Sequence, residues 1–252
     1  LFYVMDEELK DSTATMASKS DSPLNEAIRE LRKEHGSNIV IFSDVCLCTG
    51  TDHGHCGVLE GERIANDKTV EELVRIALSN AEAGVDYIAL SDMMDGRVSE
   101  VRGALEEGGY HETGILSYSV KYASSFYGPF RGAASSSPEF GDRKSHQMDV
   151  RSGYGEAILE ALQDEKEGAD IIMIKPGLPY LDVLKVVSDE VLRPVAVYNV
   201  SGEYSMVHKS CSDSKSRGLM IAEILSSFAR SGADIIVTYH AREVFSEKLL
   251  RE

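Results

Sequence analysis

The sequence predicts an α/β fold, a (β/α)8 barrel of the TIM type, on three observations. Short apolar runs alternate with amphipathic stretches, a Gly–Asp join recurs before the runs, and the unusual polar residues fall where the runs end. The runs are 1–5, 39–44, 87–91, 115–119, 171–175, 195–200 and 235–239, short and β-rich enough to read as strands buried on both faces. Helical patterns lie at 23–35, 69–83, 97–108, 151–167, 179–190, 217–231 and 241–251. Ser22 before Pro23 predicts a cap and a first-turn proline, and Thr69-Val-Glu-Glu72 matches a capping box. Gly36, Gly84, Gly168 and Gly232 follow helical patterns, where a left-handed residue ends the last turn.

The joins Ala83-Gly-Val-Asp-Tyr, Glu167-Gly-Ala-Asp-Ile and Ser231-Gly-Ala-Asp-Ile share one design, as expected when each helix returns the chain to the floor of a barrel. A barrel needs one strand more than the runs supply. The expectation is therefore a single domain over 1–252 whose N-terminal arm and first βα unit lie ahead of Leu1. A doubly wound sheet is the alternative, but no Gly-x-Gly-x-x-Gly turn follows the first run. Two long connections break the rhythm. Residues 6–22 read as a flexible polar loop, and residues 126–150, rich in Gly, Pro, Ser and Arg, as a lid over a site.

The net charge of −16 argues against nucleic acid or an anionic membrane as the main partner, and the dispersed acidic residues read as a solvated exterior. No run is long enough to span a bilayer. No signal peptide is visible, so the cytoplasm is the expected compartment, with a targeting segment ahead of Leu1 left open.

Two lysines carry most of the chemical information. Lys121 closes the run Ile115-Leu-Ser-Tyr-Ser-Val-Lys121, and Lys175 closes Ile171-Ile-Met-Ile-Lys175. At the tip of a buried strand the ammonium form is costly, and a neutral amine attacks carbonyls to give Schiff bases. Snorkelling to the surface is the ordinary fate of a lysine; two at strand tips, with a thiol cluster elsewhere, favour chemistry. Asp44, Ser91, Ser201 and Tyr239 also sit at or just after run ends, the rim where barrel enzymes place their sites.

Cys46, Cys48 and Cys56 lie within eleven residues, with Cys211 far away. Without secretion signals, reduced thiols holding a metal are favoured over a disulfide, and soft thiolates favour Zn2+. Three thiolates would leave a catalytic position open; His53 or His55 could instead close the site, and unliganded thiols are a third reading. Arg131, Arg143, Lys144 and Gln147 lie on the expected lid, and guanidinium groups suit a small carboxylate substrate as well as an ordinary surface.

The motifs Ser43-Asp-Val-Cys-Leu-Cys48, His53-Gly-His-Cys-Gly57, Ser91-Asp-Met-Met-Asp-Gly-Arg97, Tyr118-Ser-Val-Lys-Tyr122, Phe126-Tyr-Gly-Pro-Phe-Arg131, Gly141-Asp-Arg-Lys144, Lys175-Pro-Gly-Leu-Pro-Tyr-Leu-Asp182 and Val200-Ser-Gly-Glu-Tyr204 run through nearly all of the sequence. On them the chain resembles the porphobilinogen synthase (5-aminolevulinate dehydratase) family of the zinc-dependent kind. The resemblance implies condensation of two 5-aminolevulinate molecules to porphobilinogen, with loss of two waters, on the path to haem and other tetrapyrroles.

By the same resemblance, Lys175 forms the Schiff base with the propionate-side substrate, and Lys121 forms or assists one on the acetate side. Cys46, Cys48 and Cys56 hold Zn2+, with Asp44 beside them. Arg131, Arg143 and Gln147 take the acetate-side carboxylate, and Ser201 and Tyr239 the propionate-side one. Tyr127 and Phe130 wall the pocket, and Ser91 joins the substrate-binding set. A homo-oligomer, an octamer in the family, is implied as well. The sequence departs from the family pattern at Thr49-Gly-Thr-Asp52, His146, Asn199 and His240. Two other readings stay open here: a catalytically impaired paralogue that keeps the metal, and a class I Schiff-base aldolase.

Overall fold

The computed structural model describes residues 1–133 and 141–250, except the side chains of Arg131 and Ala133. Two compact units are present. Unit 1 comprises Leu1–Tyr118, Gly132–His146 and Lys166–Asp170; unit 2 comprises Ser119–Arg131, Gln147–Glu165 and Ile171–Glu252.

Unit 1 begins with helix α1 (Pro23–His35), strand β1 (Phe42–Val45), the two-residue strands β2 (Leu59–Glu60) and β3 (Arg63–Ile64), and α2 (Asn66–Ala83). It continues through β4 (Tyr87–Leu90), α3 (Arg97–Glu107) and most of β5 (Gly114–Lys121). Strand β4 runs parallel to both β1 and β5, with Tyr87 opposite Phe42 on one side and Gly114 on the other. The glycine is required there, because a Cβ at 114 would come within 2.3 Å of the Tyr87 ring, which stacks on Phe42 at 4.5 Å.

The next elements are α4 (Gly128–Ala133), α5 (Tyr154–Glu167), β6 (Ile171–Lys175), α6 (Leu181–Glu190) and β7 (Val195–Asn199). The chain then passes through α7 (Ser201–Ser210), α8 (Ser214–Arg230), β8 (Ile235–Thr238) and α9 (Ala241–Glu247). Within unit 2, β7 pairs parallel with β6 and β8. Ile172, Ile174, Ala196, Val197 and Phe228 are fully buried, as a parallel strand covered on both faces requires.

The repeated Gly–Asp join is a latch. Asp86, Asp170 and Asp234 each donate their backbone N–H to a carbonyl near the start of the preceding strand: Ile41 at 3.0 Å, Ile115 at 2.8 Å and Val195 at 2.8 Å. Each carboxylate takes the N–H of that same residue, at 2.6, 2.8 and 2.9 Å respectively. In the first two, an arginine of an earlier helix, α1 or α3, ties carboxylate and glycine carbonyl together. Arg32 donates to Asp86 at 2.6 Å and to Gly84 O at 2.8 Å; Arg102 donates to Asp170 at 2.6 Å and to Gly168 O at 3.2 Å. The glycines at 84, 168 and 232 have φ near +100°, a conformation only glycine adopts without strain.

Several local expectations are corrected. Residues 1–5 form no strand, although Leu1 O accepts from Asp44 N at 2.7 Å. Residues 6–22 are not a flexible loop: 3-10 turns at Glu7–Leu9 and Thr15–Ser18, an Asp11 carboxylate accepting from Thr13 N and Thr15 N, and buried Ala14 and Ala17 fix them. Ser22 caps α1 as expected, its Oγ accepting from Asn25 N at 3.2 Å. Thr69 caps nothing, because α2 starts at Asn66; its hydroxyl donates to Ala65 O and accepts from Val58 N. Helix α7 falls where the sequence predicted none.

Candidate catalytic and metal site

The cysteine loop of unit 1 is built by short-range hydrogen bonding. After β1 ends at Val45 the chain turns: Leu47 O accepts from Gly50 N and Thr51 N, both at 2.9 Å, and Thr51 Oγ1 donates to His55 O at 2.9 Å. Cys56 is thereby returned to the strand end that carries Cys46 and Cys48. Gly57 presses the loop onto α2, since a Cβ there would lie 2.6 Å from Thr69 Oγ1. The segment ahead of α1 buttresses the other side through Asp52 N to Asp11 O at 3.0 Å.

The three sulfurs converge, each within 4.8 Å of the others, with Cys46 Sγ 3.3 Å from Cys48 Sγ, and all three residues are buried. Sulfurs bound to one tetrahedral ion at ~2.3 Å sit roughly 3.8 Å apart, so the cluster is one that could hold a metal ion. Its electrostatics agree. Cys46 and Cys48 beside it hold the Cys56 thiol well below the ordinary range, helped by Arg143 and His146. Cys46 is driven well above its ordinary range by its sulfur neighbours and by burial. Without a cation, the pocket favours one anion over three.

His53 and His55 do not join the cluster: His53 Nδ1 accepts from His55 N at 3.1 Å, and His53 Nε2 lies 3.3 Å from Ser12 O. Arg143 is buried and donates to Gly54 O at 3.1 Å. Burial alone would lower its pKa, but the three cysteine sulfurs outweigh that and raise it. Asp44 precedes the cluster on β1, and Ser91, buried after β4, donates its N–H to Val45 O at 3.0 Å. The sequence reading missed Tyr3, whose phenol is raised by burial foremost and also by Cys48, Asp44 and Cys46.

In unit 2 the ends of β5 and β6 meet. Tyr122 N donates to Lys175 O at 3.0 Å, so Lys121 and Lys175 stand at neighbouring strand tips. The Tyr127 hydroxyl ties the tips together, 2.8 Å from Tyr122 O and 3.2 Å from Lys175 O. Lys175 Nζ lies among aromatic faces, 4.2 Å from the Tyr198 centroid, 5.3 Å from Tyr127 and 5.8 Å from Phe130. Lys121 is buried.

Ser201 opens α7, and its Oγ accepts from Phe130 N at 3.0 Å. Gly202 permits this approach, since a Cβ there would meet Phe126 O at 2.5 Å. Tyr239 is partly exposed, its hydroxyl 3.5 Å from that of Tyr198. Gln147 is buried, and neither of its amide atoms has a hydrogen-bond partner among the described residues, as for a group held ready for a ligand. Arg131 lies in α4 with its side chain outside the described residues, as are residues 134–140 of the expected lid.

Glu203 organises this site, and the sequence reading gave it no role. It is fully buried, and its carboxylate accepts from Gly177 N at 3.1 Å, Leu178 N at 2.6 Å, Val200 N at 2.7 Å and Asn199 Nδ2 at 2.8 Å. It thus joins the turn after Lys175 to the start of α7. Burial raises its pKa, and the hydrogen bonds offset that only in part. A glutamate four residues after a strand end, at the third position of a helix, is the signal that would have revealed it.

The sequence profile of the delta-aminolevulinic acid dehydratase family matches residues 1–247. The delta-aminolevulinic acid dehydratase of Helicobacter pylori is 48% identical over 236 residues, covering 93% of this chain and 72% of that protein. The enzyme of that name from Bacillus subtilis is 47% identical over 238 residues, covering 94% and 72%. A crystal structure of porphobilinogen synthase from Toxoplasma gondii, in complex with the reaction product porphobilinogen, superimposes with a TM-score of 0.93 at 43% identity. That match covers 96% of this chain and 69% of the other.

Proposed function

The chain belongs to the delta-aminolevulinic acid dehydratase family, and from that premise we propose that its lysine pair and cysteine cluster carry the family's reaction. The protein condenses two molecules of 5-aminolevulinate to porphobilinogen with loss of two waters, a step of tetrapyrrole biosynthesis. Lys175 is the Schiff-base residue for the propionate-side substrate, and Lys121 forms or assists the second. The observation that supports this most directly is the placing of both lysines at paired strand tips, with Lys175 Nζ among the rings of Tyr198, Tyr127 and Phe130.

Each amine attacks a substrate ketone and expels water, giving an imine that is a better electrophile or, after loss of an α-proton, an enamine carbon nucleophile. The Tyr127 and Phe130 rings exclude water from the Lys175 imine. Ser201 and Tyr239 bind the propionate-side carboxylate. Gln147, with Arg131 and Arg143, binds the acetate-side carboxylate, and Ser91 and Asp44 complete the set. Holding both substrates in an attack geometry is worth up to ~7–11 kcal/mol.

Cys46, Cys48 and Cys56 hold Zn2+, a fit supported by the sulfur spacing and by a pocket that disfavours three uncompensated thiolates. When bound, the ion supplies Lewis-acid polarisation of the second substrate's oxygen.

Borohydride reduction in the presence of 5-aminolevulinate should leave an adduct on Lys175, mapped by peptide mass; an unmodified Lys175 would contradict the assignment. Lys175→Met should abolish turnover, whereas Lys185→Met, at an exposed Asp189 ion pair on α6, should leave it unchanged. A homo-oligomer is the assembly proposed, supported by exposed Leu159, Leu219 and Phe245, and a monomer in sedimentation velocity would reject it.

A further inference from the structure

Among the described residues, a second cluster of metal-ligating side chains lies in unit 2, at the end of α7 and the start of α9, and the reaction above does not use it. His208, His240 and Glu243 each offer one ligand atom, and these atoms lie within 4.8 Å of one another. His240 Nδ1 is 2.9 Å and His208 Nε2 3.7 Å from the same oxygen, Glu243 Oε2. Nitrogen and oxygen donors bonded to one first-row cation at ~2.0–2.2 Å stand roughly 3.0–3.6 Å apart, so little movement is needed to close around an ion.

Three further observations point to a ligand. His240 is 1% exposed, and His208 Nε2, the atom that faces Glu243 Oε2, is buried with no hydrogen-bond partner among the described residues. The imidazoles lie parallel, 7° apart at 5.6 Å between centroids, with the Tyr204 ring against both at 4.3 and 4.6 Å. Arg217, from α8, donates to the other Glu243 oxygen at 2.8 Å and so turns Oε2 toward the imidazoles.

We propose that His208, His240 and Glu243 form a second divalent-cation site, distinct from the cysteine cluster. Two imidazoles and one carboxylate suit a borderline first-row ion such as zinc or cobalt rather than magnesium or calcium, which prefer oxygen donors. Three protein ligands leave the remaining positions to water, and the part-exposed His208 and Glu243 side chains give the ion a way in. The role is structural: the ion ties the last turn of α7 to the first turn of α9.

Titration of the metal-free chain with Co2+ separates the two sites, because only the cysteine cluster produces thiolate-to-cobalt charge transfer. Two equivalents per chain should bind, one with that band and one with weak ligand-field absorption alone. His208→Asn and Glu243→Gln should each weaken the second equivalent by at least about tenfold and leave the charge-transfer equivalent unchanged. Replacing Cys46, Cys48 and Cys56 by Ser should remove the first and spare the second. His208 lies on a part-exposed helix position, so its variant should keep the far-UV circular dichroism of the parent; if it does not, Glu243→Gln decides. A chain that binds no equivalent of the second kind, or one that both variants leave undiminished, overturns the site. Loss of the charge-transfer equivalent alone would count against the cysteine assignment and not against this one.

Discussion

Lys175 owes its setting to a residue that never meets substrate in this reading. The turn that follows the lysine is held by Gly177 N and Leu178 N donating to one buried carboxylate, and that carboxylate, Glu203, also fixes the first turn of α7. Glu203→Gln keeps the size but turns an N–H2 toward a backbone donor, which costs about 1–3 kcal/mol per group left unsatisfied. A loss of that size should appear in urea melts. The same variant should lower kcat more than it raises KM, and slow borohydride trapping at Lys175, because the lysine is misplaced while the carboxylate contacts remain. A purely structural role would shift the melt without altering trapping. Asn199, buried between the Glu203 carboxylate at 2.8 Å and Thr238 Oγ1 at 2.8 Å, passes the same order on to β8.

Each element is set by its ends. The latch aspartates fix where β4, β6 and β8 begin, so the residues at their C-terminal ends, Ser91, Lys175 and Tyr239, arrive in a defined place. Helix α8 starts on Asp213, whose carboxylate accepts from Ser216 N at 2.9 Å and Ser216 Oγ at 2.7 Å. Those bonds lower the Asp213 pKa below its ordinary 3.8. A carboxyl whose pKa is depressed on folding stabilises the fold above the unfolded value and loses that contribution as pH falls through the folded one. Asp213→Ala should therefore lower Tm at neutral pH, and the difference from the parent should shrink as pH drops below 3.8. A Tm difference that does not vary with pH would show that the cap acts without its charge.

For the molecule as a whole, most of the buried apolar surface lies outside the cysteine loop. Apolar side chains such as Ile88, Ile115, Ile172, Val197 and Phe228 are fully buried among other apolar groups, whereas the cysteine loop is held by turns and two polar braces. Chelation should remove catalytic turnover while far-UV circular dichroism stays within error of the untreated protein; collapse of the dichroism would mean that the metal holds the fold. The acidic surface, at −16 overall, keeps such an experiment practicable at neutral pH by disfavouring aggregation.

The strands from β1 onward that build the sheet, most of the helices, the strand-tip lysines and the three-thiol loop were legible in the sequence because each rests on local signals: apolar periodicity, capping residues and short spacings; the expected strand at 1–5 and the unexpected α7 were not. Thr69 shows the limit of such signals: its capping pattern is real, but α2 starts three residues earlier at Asn66, and the hydroxyl bonds Ala65 O and Val58 N instead. Only the fold brought Glu203 beneath the turn after Lys175, Tyr198 over its amine, and His208 beside His240. These pairs are separated by tens of residues along the chain. Partners that far apart meet through strand register and helix packing, which leave no mark on residue spacing.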